Sequence, residues 1–229
     1  ATILTQLVCD TAGLPGELVE VAPPDTWLTP DSGTTTASRQ TLFTGEAARQ
    51  AALKLQQALA DQTLANLEGQ EFYGEYSGIT DPMNSPKANP VGHIAYSYAT
   101  QVVVLSADGK VEKVVAAHDV GRAINPKAIE GQIEGGVAMG LGYALREDFP
   151  LKKGVPQVRY GTLGLFRSTD MPVIESIIVE KNPSPLAYGA KGVGEISTIP
   201  TAPAVAAAYY RYDGKRRFAL PLVNTAYKK

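Results

Sequence analysis

A chain of 229 residues with 44% hydrophobic content can bury a sizeable core, which excludes a peptide or a disordered tail and fits one large domain or two lobes dividing near residues 80–95. A formal net charge of -2, with 19% charged residues and no basic run longer than Lys215-Arg216-Arg217, argues against nucleic acid and anionic membranes as partners. A single Cys9 with only His93 and His118 excludes an internal disulfide and argues against a zinc or iron–sulfur site built from side chains.

The chain opens at Ala1, without an initiator Met, inside an amphipathic pattern of Ile3, Leu4, Leu7 and Val8 that predicts a helix and suggests a fragment or a processed subunit. No apolar run has membrane length and no secretory pattern is present, so the expected compartment is the cytoplasm. Turn chemistry at Gly13-Leu14-Pro15-Gly16 precedes Glu17-Leu18-Val19-Glu20-Val21, whose alternation predicts a short strand. A loop follows, and from Thr29 to Thr44 it carries Thr29, Ser32, Thr34, Thr35, Thr36, Ser38, Thr41 and Thr44. Leu42, Phe43, Ala47, Ala48, Ala51, Ala52, Leu55 and Leu59 recur at helical spacing, predicting a helix from Ser38 or Arg39 to about Asp61. The free N–H groups of its first turn face back into the hydroxyl-rich loop, an arrangement suited to an anion or a polar heterocycle. The same residues also allow a solvated Ser/Thr linker whose hydroxyls serve as caps.

Phe72, Tyr73 and Tyr76 predict a strand within 70–79, and prolines at 82, 86 and 90 then enforce an irregular loop. Residues 95–105 and 111–117 are rich in β-formers and flank Ser106-Ala107-Asp108-Gly109, a hairpin signal. His118-Asp119 closes the second strand. As neighbours on a strand their side chains point to opposite faces, so they do not form a catalytic dyad and His118 is read as structural. Asn125-Pro126 starts a helix to about Arg146, with Ile129, Ile133, Val137 and Leu141 as its apolar stripe. Gly131, Gly135, Gly136, Gly140 and Gly142 weaken that helix by up to about 1 kcal/mol each relative to alanine. Close backbone packing or close approach of a ligand has to offset the loss, and Gln132 in the same run has the reach for a polar ligand. Residues 174–179 predict another strand. It leads through Asn182-Pro183-Ser184-Pro185 to Gly189-Ala190-Lys191-Gly192-Val193-Gly194-Glu195, a glycine cradle around one lysine that ends on a carboxylate. Thr201 is the candidate N-cap of a final helix, with Pro203 in its first turn. Taken alone, the cradle also fits a plain turn whose Glu195 complements that helix dipole.

Three segments taken together resemble the molybdenum hydroxylases, the xanthine dehydrogenase and aldehyde oxidoreductase family. They are Thr29 to Gln40, then His118-Asp119-Val120-Gly121-Arg122-Ala123-Ile124-Asn125-Pro126 running into Glu130-Gly131-Gln132-Ile133-Glu134-Gly135-Gly136, and Gly189 to Glu195. The match spans most of the chain and is similar to the C-terminal molybdopterin-binding part of the catalytic subunit. The resemblance implies an α+β fold of mixed sheets flanked by helices. It implies a molybdopterin, as its cytosine dinucleotide, held by Thr35, Thr36, Ala37, Ser38, Arg39, Gln40, Gln132, Lys191, Gly192, Val193 and Gly194. Molybdenum is then held by the pterin and by no side chain, and Glu195 is the base beside it. The implied reaction hydroxylates a small molecule with oxygen taken from water. A purine or related heterocycle is the favoured substrate, with aldehyde, nicotinate and carbon monoxide as alternatives, and a non-catalytic cofactor- or partner-binding domain as the reading of another class. The first molybdopterin-binding half and the iron–sulfur and FAD modules are absent from the chain and are expected on partner domains or subunits. The isolated chain is accordingly expected to be inactive.

Overall fold

The computed structural model describes residues 1–228. The chain divides into two units, one made of Ala1–Tyr96, Val120–Asn125 and Glu180–Gly192, the other of Ser97–Asp119, Pro126–Val179 and the residues from Val193 onward.

In the first unit, α1 (Thr2–Ala12) ends at Gly13, whose left-handed conformation caps it, and packs on α2 (Gln40–Leu59). Leu7, Ala12, Leu42 and Ala52 are buried. Gly45 lies at this contact, where a Cβ would come within 2.8 Å of Leu7 Cδ1. The strand expected at 17–21 does not form. Gly16–Leu18 continues the preceding turn as a 3-10 helix, with Leu18 and Val19 N–H donating to the Pro15 and Gly16 carbonyls. The strand expected within 70–79 is also absent, and residues 72, 74, 76 and 78 are less exposed than their odd-numbered neighbours. Instead of pairing with a strand the segment lies along α2: the Lys54 ammonium donates to the Tyr73 carbonyl at 2.7 Å, and Tyr76 meets Phe43 edge-on at 5.2 Å. Gly74 sits so close that a Cβ would lie 2.5 Å from the Ala51 nitrogen. The aromatic residues marked a segment that packs, but Phe43 and Ala51 of α2 receive it and no strand does.

The second unit is a mixed sheet with helices on one face, in agreement with the α+β expectation. β1 (Tyr98–Leu105) and β2 (Val111–Asp119) form the antiparallel hairpin, with Gly109 at positive φ in the turn. A second, two-residue hairpin pairs β3 (Leu151–Lys152) with β4 (Val155–Pro156). β5 (Val173–Val179) pairs parallel to β2, leaving β2 in the centre. The crossover between β2 and β5 contains α3 (Pro126–Leu145), and α4 (Thr201–Asp213) packs beside it. Ile133, Val137 and Leu141 are fully buried with Val114, Ala116, Val205 and Tyr209, each of the large apolar side chains contributing about 1.5–3 kcal/mol. The Tyr209 hydroxyl donates to the Gly109 carbonyl at 2.6 Å and ties α4 to the hairpin turn. Thr201 is not the N-cap: Pro200 holds that position and Thr201 is the first helical residue, because its hydroxyl is engaged with β1 instead. No helix among the described residues is long and apolar enough to cross a membrane.

Candidate functional site

The hydroxyl-rich loop reaches α2 through a strained corner. Ala37 and Ser38 have φ of 51° and 53°, a left-handed conformation that costs a non-glycine residue roughly 1–3 kcal/mol and is concentrated at functional sites. Around it, the Arg39 guanidinium donates to the Thr34 carbonyl at 2.6 Å and lies 5.3 Å from the Phe43 ring centre. The Thr35 hydroxyl donates to the Gln40 side chain at 3.1 Å. Arg39 occupies the N-cap of α2 without a side-chain capping bond. Thr35, Thr36 and Gln40 are exposed, while Ala37, Ser38 and Arg39 are half-buried.

The same unit brings the start of the glycine cradle to this corner. A Cβ at Gly192 would lie 2.5 Å from the Ser38 carbonyl oxygen and 2.7 Å from its Cβ, so only glycine allows the two main chains this close. Lys191 is buried, and its N–H donates to the Val120 carbonyl at 2.9 Å. Arg122 N–H donates to the Gly189 carbonyl at the same distance, so residues 120–122 and 189–191 run as a short antiparallel bridge. Gly121 is required there twice over: its φ is +64°, and a Cβ would strike the Gly189 carbonyl. Glycine adopts that φ without the penalty other L-residues meet.

Ahead of the cradle, Ala187 and Tyr188 are left-handed as well. Their turn is pinned by Glu46 of α2, whose buried carboxylate accepts the Ala187 N–H at 2.9 Å and a pair of bonds from Arg49 at 2.9 and 2.7 Å. The Arg49 bond is the chief reason the Glu46 pKa lies below the ordinary carboxylate value, with burial opposing it and the Ala187 N–H assisting. The Tyr188 hydroxyl shares a 2.9 Å hydrogen bond with Thr11. Sequence reasoning passed over Glu46. The signal was an acidic residue on the apolar face of α2, three positions before an arginine.

The remaining predicted residues lie in the second unit, since the division falls after Gly192. Val193 packs on the core. Gly194 and Glu195 are exposed and begin a turn that runs to Pro200, with Thr198 N–H donating to the Glu195 carbonyl at 3.1 Å and the Ser197 hydroxyl to the Gly194 carbonyl at 3.1 Å. α3 supports this turn. A Cβ at Gly136 would lie 2.8 Å from the Ser197 carbonyl carbon, and one at Gly140 would lie 2.7 Å from Thr201 Oγ1. Gly131 and Gly135 face open space, and the atoms nearest Gly142 belong to the flexible Glu147 side chain. Of the five helix glycines, then, two are explained by packing. Gln132 is exposed, one helical turn before Gly136.

His118 is fully buried on the β2 face that also carries Val114 and Ala116, with no hydrogen-bond partner among the described residues within bonding geometry of either ring nitrogen. Burial pushes its pKa down, opposed by nearby main-chain groups of Ala116 and Ile196. β2 persists through Asp119, so alternation keeps the two side chains on opposite faces.

Residues 1–71 and 57–172 match the family model described as a molybdopterin cofactor-binding domain. The chain is similar to the xanthine dehydrogenase molybdenum-binding subunit of Escherichia coli O157:H7, 29% identical over 258 residues covering 96% of this chain and 34% of that protein. It is similar also to the aldehyde oxidoreductase of Megalodesulfovibrio gigas, 30% identical over 226 residues, 91% of this chain and 25% of that protein. Among solved structures, the aldehyde oxidoreductase from Desulfovibrio desulfuricans ATCC 27774 superposes with a TM-score of 0.77 at 26% identity, over 93% of this chain and 25% of that one. This chain thus spans between a quarter and about a third of the length of these relatives.

Proposed function

We propose, proceeding from the fact that this chain belongs to the molybdopterin cofactor-binding domain family, that it supplies part of the catalytic site of a molybdenum hydroxylase. The observation that carries this reading is the meeting of Gly192 with the left-handed Ala37–Ser38 corner at the start of α2. Main-chain amides, hydroxyls and Arg39 make up the donor set there. Such a set suits a phosphate-bearing, hydrogen-bonding heterocycle such as a molybdopterin or its cytosine dinucleotide. Thr35, Thr36, Ala37, Ser38, Arg39, Gln40, Gln132, Lys191, Gly192, Val193 and Gly194 are the residues that would hold it.

When bound, that cofactor supplies two-electron redox chemistry and the activation of water. The part left to this chain is a proton transfer. Glu195, exposed on its turn, would accept the proton of the attacking water on a carboxylate oxygen as the water oxygen bonds to an electron-poor carbon of the substrate, whose C–H hydrogen would leave with its bonding pair to the two-electron acceptor that the cofactor would supply. A purine or related heterocycle is the favoured substrate, in line with the relatives named as xanthine dehydrogenase subunits. The similarity to an aldehyde oxidoreductase supports an aldehyde as the second reading. Because the chain spans so little of its relatives' length, the proposed active form includes the first molybdopterin-binding half together with iron–sulfur and flavin modules. The lone chain is proposed to be inactive, since most of the cofactor's surface would be left in water.

The test is Glu195→Gln in the assembled enzyme, which keeps the size of the side chain and removes its basicity. Cofactor content should be retained while substrate-driven reduction slows by about 10²–10⁴-fold. Glu134→Gln, on the exposed face of α3, is the control and should leave that rate unchanged. A wild-type rate of reduction in Glu195→Gln would remove the assignment.

A further inference from the structure

On the core-facing side of β1, Ala99, Val103 and Leu105 are apolar and Gln101 between them is not, yet Gln101 is 8% exposed. A buried amide is tolerated only where its donor and acceptor are both satisfied. Here the two partners come from one short stretch: Gln101 Nε2 donates to the Ser197 carbonyl at 2.8 Å, and Gln101 Oε1 accepts from the Thr201 hydroxyl at 2.7 Å. Ser197 stands two residues after Glu195, and Thr201 opens α4. The turn carrying Glu195 is therefore gripped at two points by a single side chain, while Gly136 and Gly140 of α3 close on the same two residues.

We infer that Gln101 is a positioning residue for Glu195. Its amide sets the height and orientation of the 194–200 turn on the sheet, and through it the place at which the Glu195 carboxylate accepts a proton. The inference rests on the reading of Glu195 as the base. A glutamine suits the position for a specific reason: asparagine is one methylene too short to span both partners, an ionised glutamate cannot donate to the Ser197 carbonyl, and an apolar side chain does neither.

The experiment uses the assembled enzyme carrying Gln101→Met or Gln101→Glu, beside Glu195→Gln. Gln101→Met keeps the volume and loses the amide. It should retain cofactor, lower kcat by about 10²-fold, as a misplacement of about 1 Å does, leave KM within about twofold, as expected when substrate binding is untouched, and speed hydrogen exchange at the Thr198 and Thr201 amides. Gln101→Glu can both donate and accept only when protonated, a form that burial favours, so its kcat relative to wild type should rise as pH falls. Should Gln101→Met assemble poorly, Thr201→Val removes one of the two bonds and should cost roughly 10-fold in kcat by the same misplacement argument. Wild-type kcat and exchange in Gln101→Met, a loss that merely tracks cofactor content, or a Gln101→Glu deficit independent of pH would each overturn the inference. A slowed Glu195→Gln beside a wild-type Gln101→Met overturns the positioning role alone. A wild-type Glu195→Gln overturns the base and this inference with it, and the exchange data then still report on the Gln101 clamp.

Discussion

The first and last residues of the Gly189–Glu195 loop are held by different means. Up to Gly192 the chain is fixed by main chain meeting main chain: Gly121 lies against the Gly189 carbonyl, Gly192 against Ser38, and the Val120 carbonyl accepts from Lys191. From Val193 onward the main-chain bonds, such as Thr198 N–H to the Glu195 carbonyl, stay within the turn, and side chains tie the turn to the sheet and core, with Gln101 spanning Ser197 and Thr201 and Val193 packed on the core. The first arrangement tolerates no added atom. The second tolerates changes of bulk at the exposed Glu195 and depends on one amide having both its partners.

Substitutions that add a single methyl group separate the two most sharply. Gly121→Ala should have the largest effect on stability, about 3 kcal/mol or failure to fold, because alanine must enter the left-handed region while its Cβ meets a carbonyl that the bridge to Arg122 holds in place. A denaturation midpoint close to wild type would show that the 189–192 segment shifts freely and that the cradle is not built from main-chain contact.

Within α3 the glycines divide. Gly136→Ala and Gly140→Ala press on the Ser197–Thr201 stretch and should destabilise by about 1–3 kcal/mol. Gly131→Ala and Gly135→Ala, with nothing near their Cβ positions, should stabilise by about 0.5–1 kcal/mol through helix propensity. Denaturant titration of the four variants checks the division. Equal shifts in all four would mean that α3 does not support the Glu195 turn.

The smallest expected effect is electrostatic and belongs to the second unit, at His118 on β2. His118 lies in the core with its pKa pushed down by burial from the ordinary 6.5. The unfolded chain therefore binds the extra proton first, and the stability due to neutral His118 is complete above about 6.5 and lost as pH falls through that value toward the folded-state pKa. Comparing wild type with His118→Leu over roughly pH 8 to 5 should show the steeper decline in the wild type. Parallel declines would place the lost stability elsewhere.

Much of this architecture can be read one segment at a time. Helical spacing located α2 and α3, and Ser106 to Gly109 located the hairpin. The order of the three glycine- and hydroxyl-bearing segments was enough to point to the molybdopterin cofactor-binding family that the comparison then matched. Local pattern succeeded where a residue's neighbours in sequence are also those that determine its conformation. Residues 70–79 mark its limit, since Phe72, Tyr73 and Tyr76 favour a strand by residue type and say nothing about whether a strand or a helix will cover them.

What the sequence by itself determined is therefore the set of helices and strands with long periodic patterns, the anomaly of five glycines in one helix, and the family resemblance. Only the tertiary structure decided which of those glycines are packed against the Glu195 turn. It also decided that the Thr201 hydroxyl serves Gln101 and not the helix end, and that Glu46 pins the strained turn at Ala187 and Tyr188. Each of those decisions is a contact between residues about 60 to 140 positions apart in the chain. Hydrogen bonds and close contacts act over a few ångströms of space, so partners separated so far in sequence leave no periodic trace and meet only once the sheet, α2 and α3 are in place.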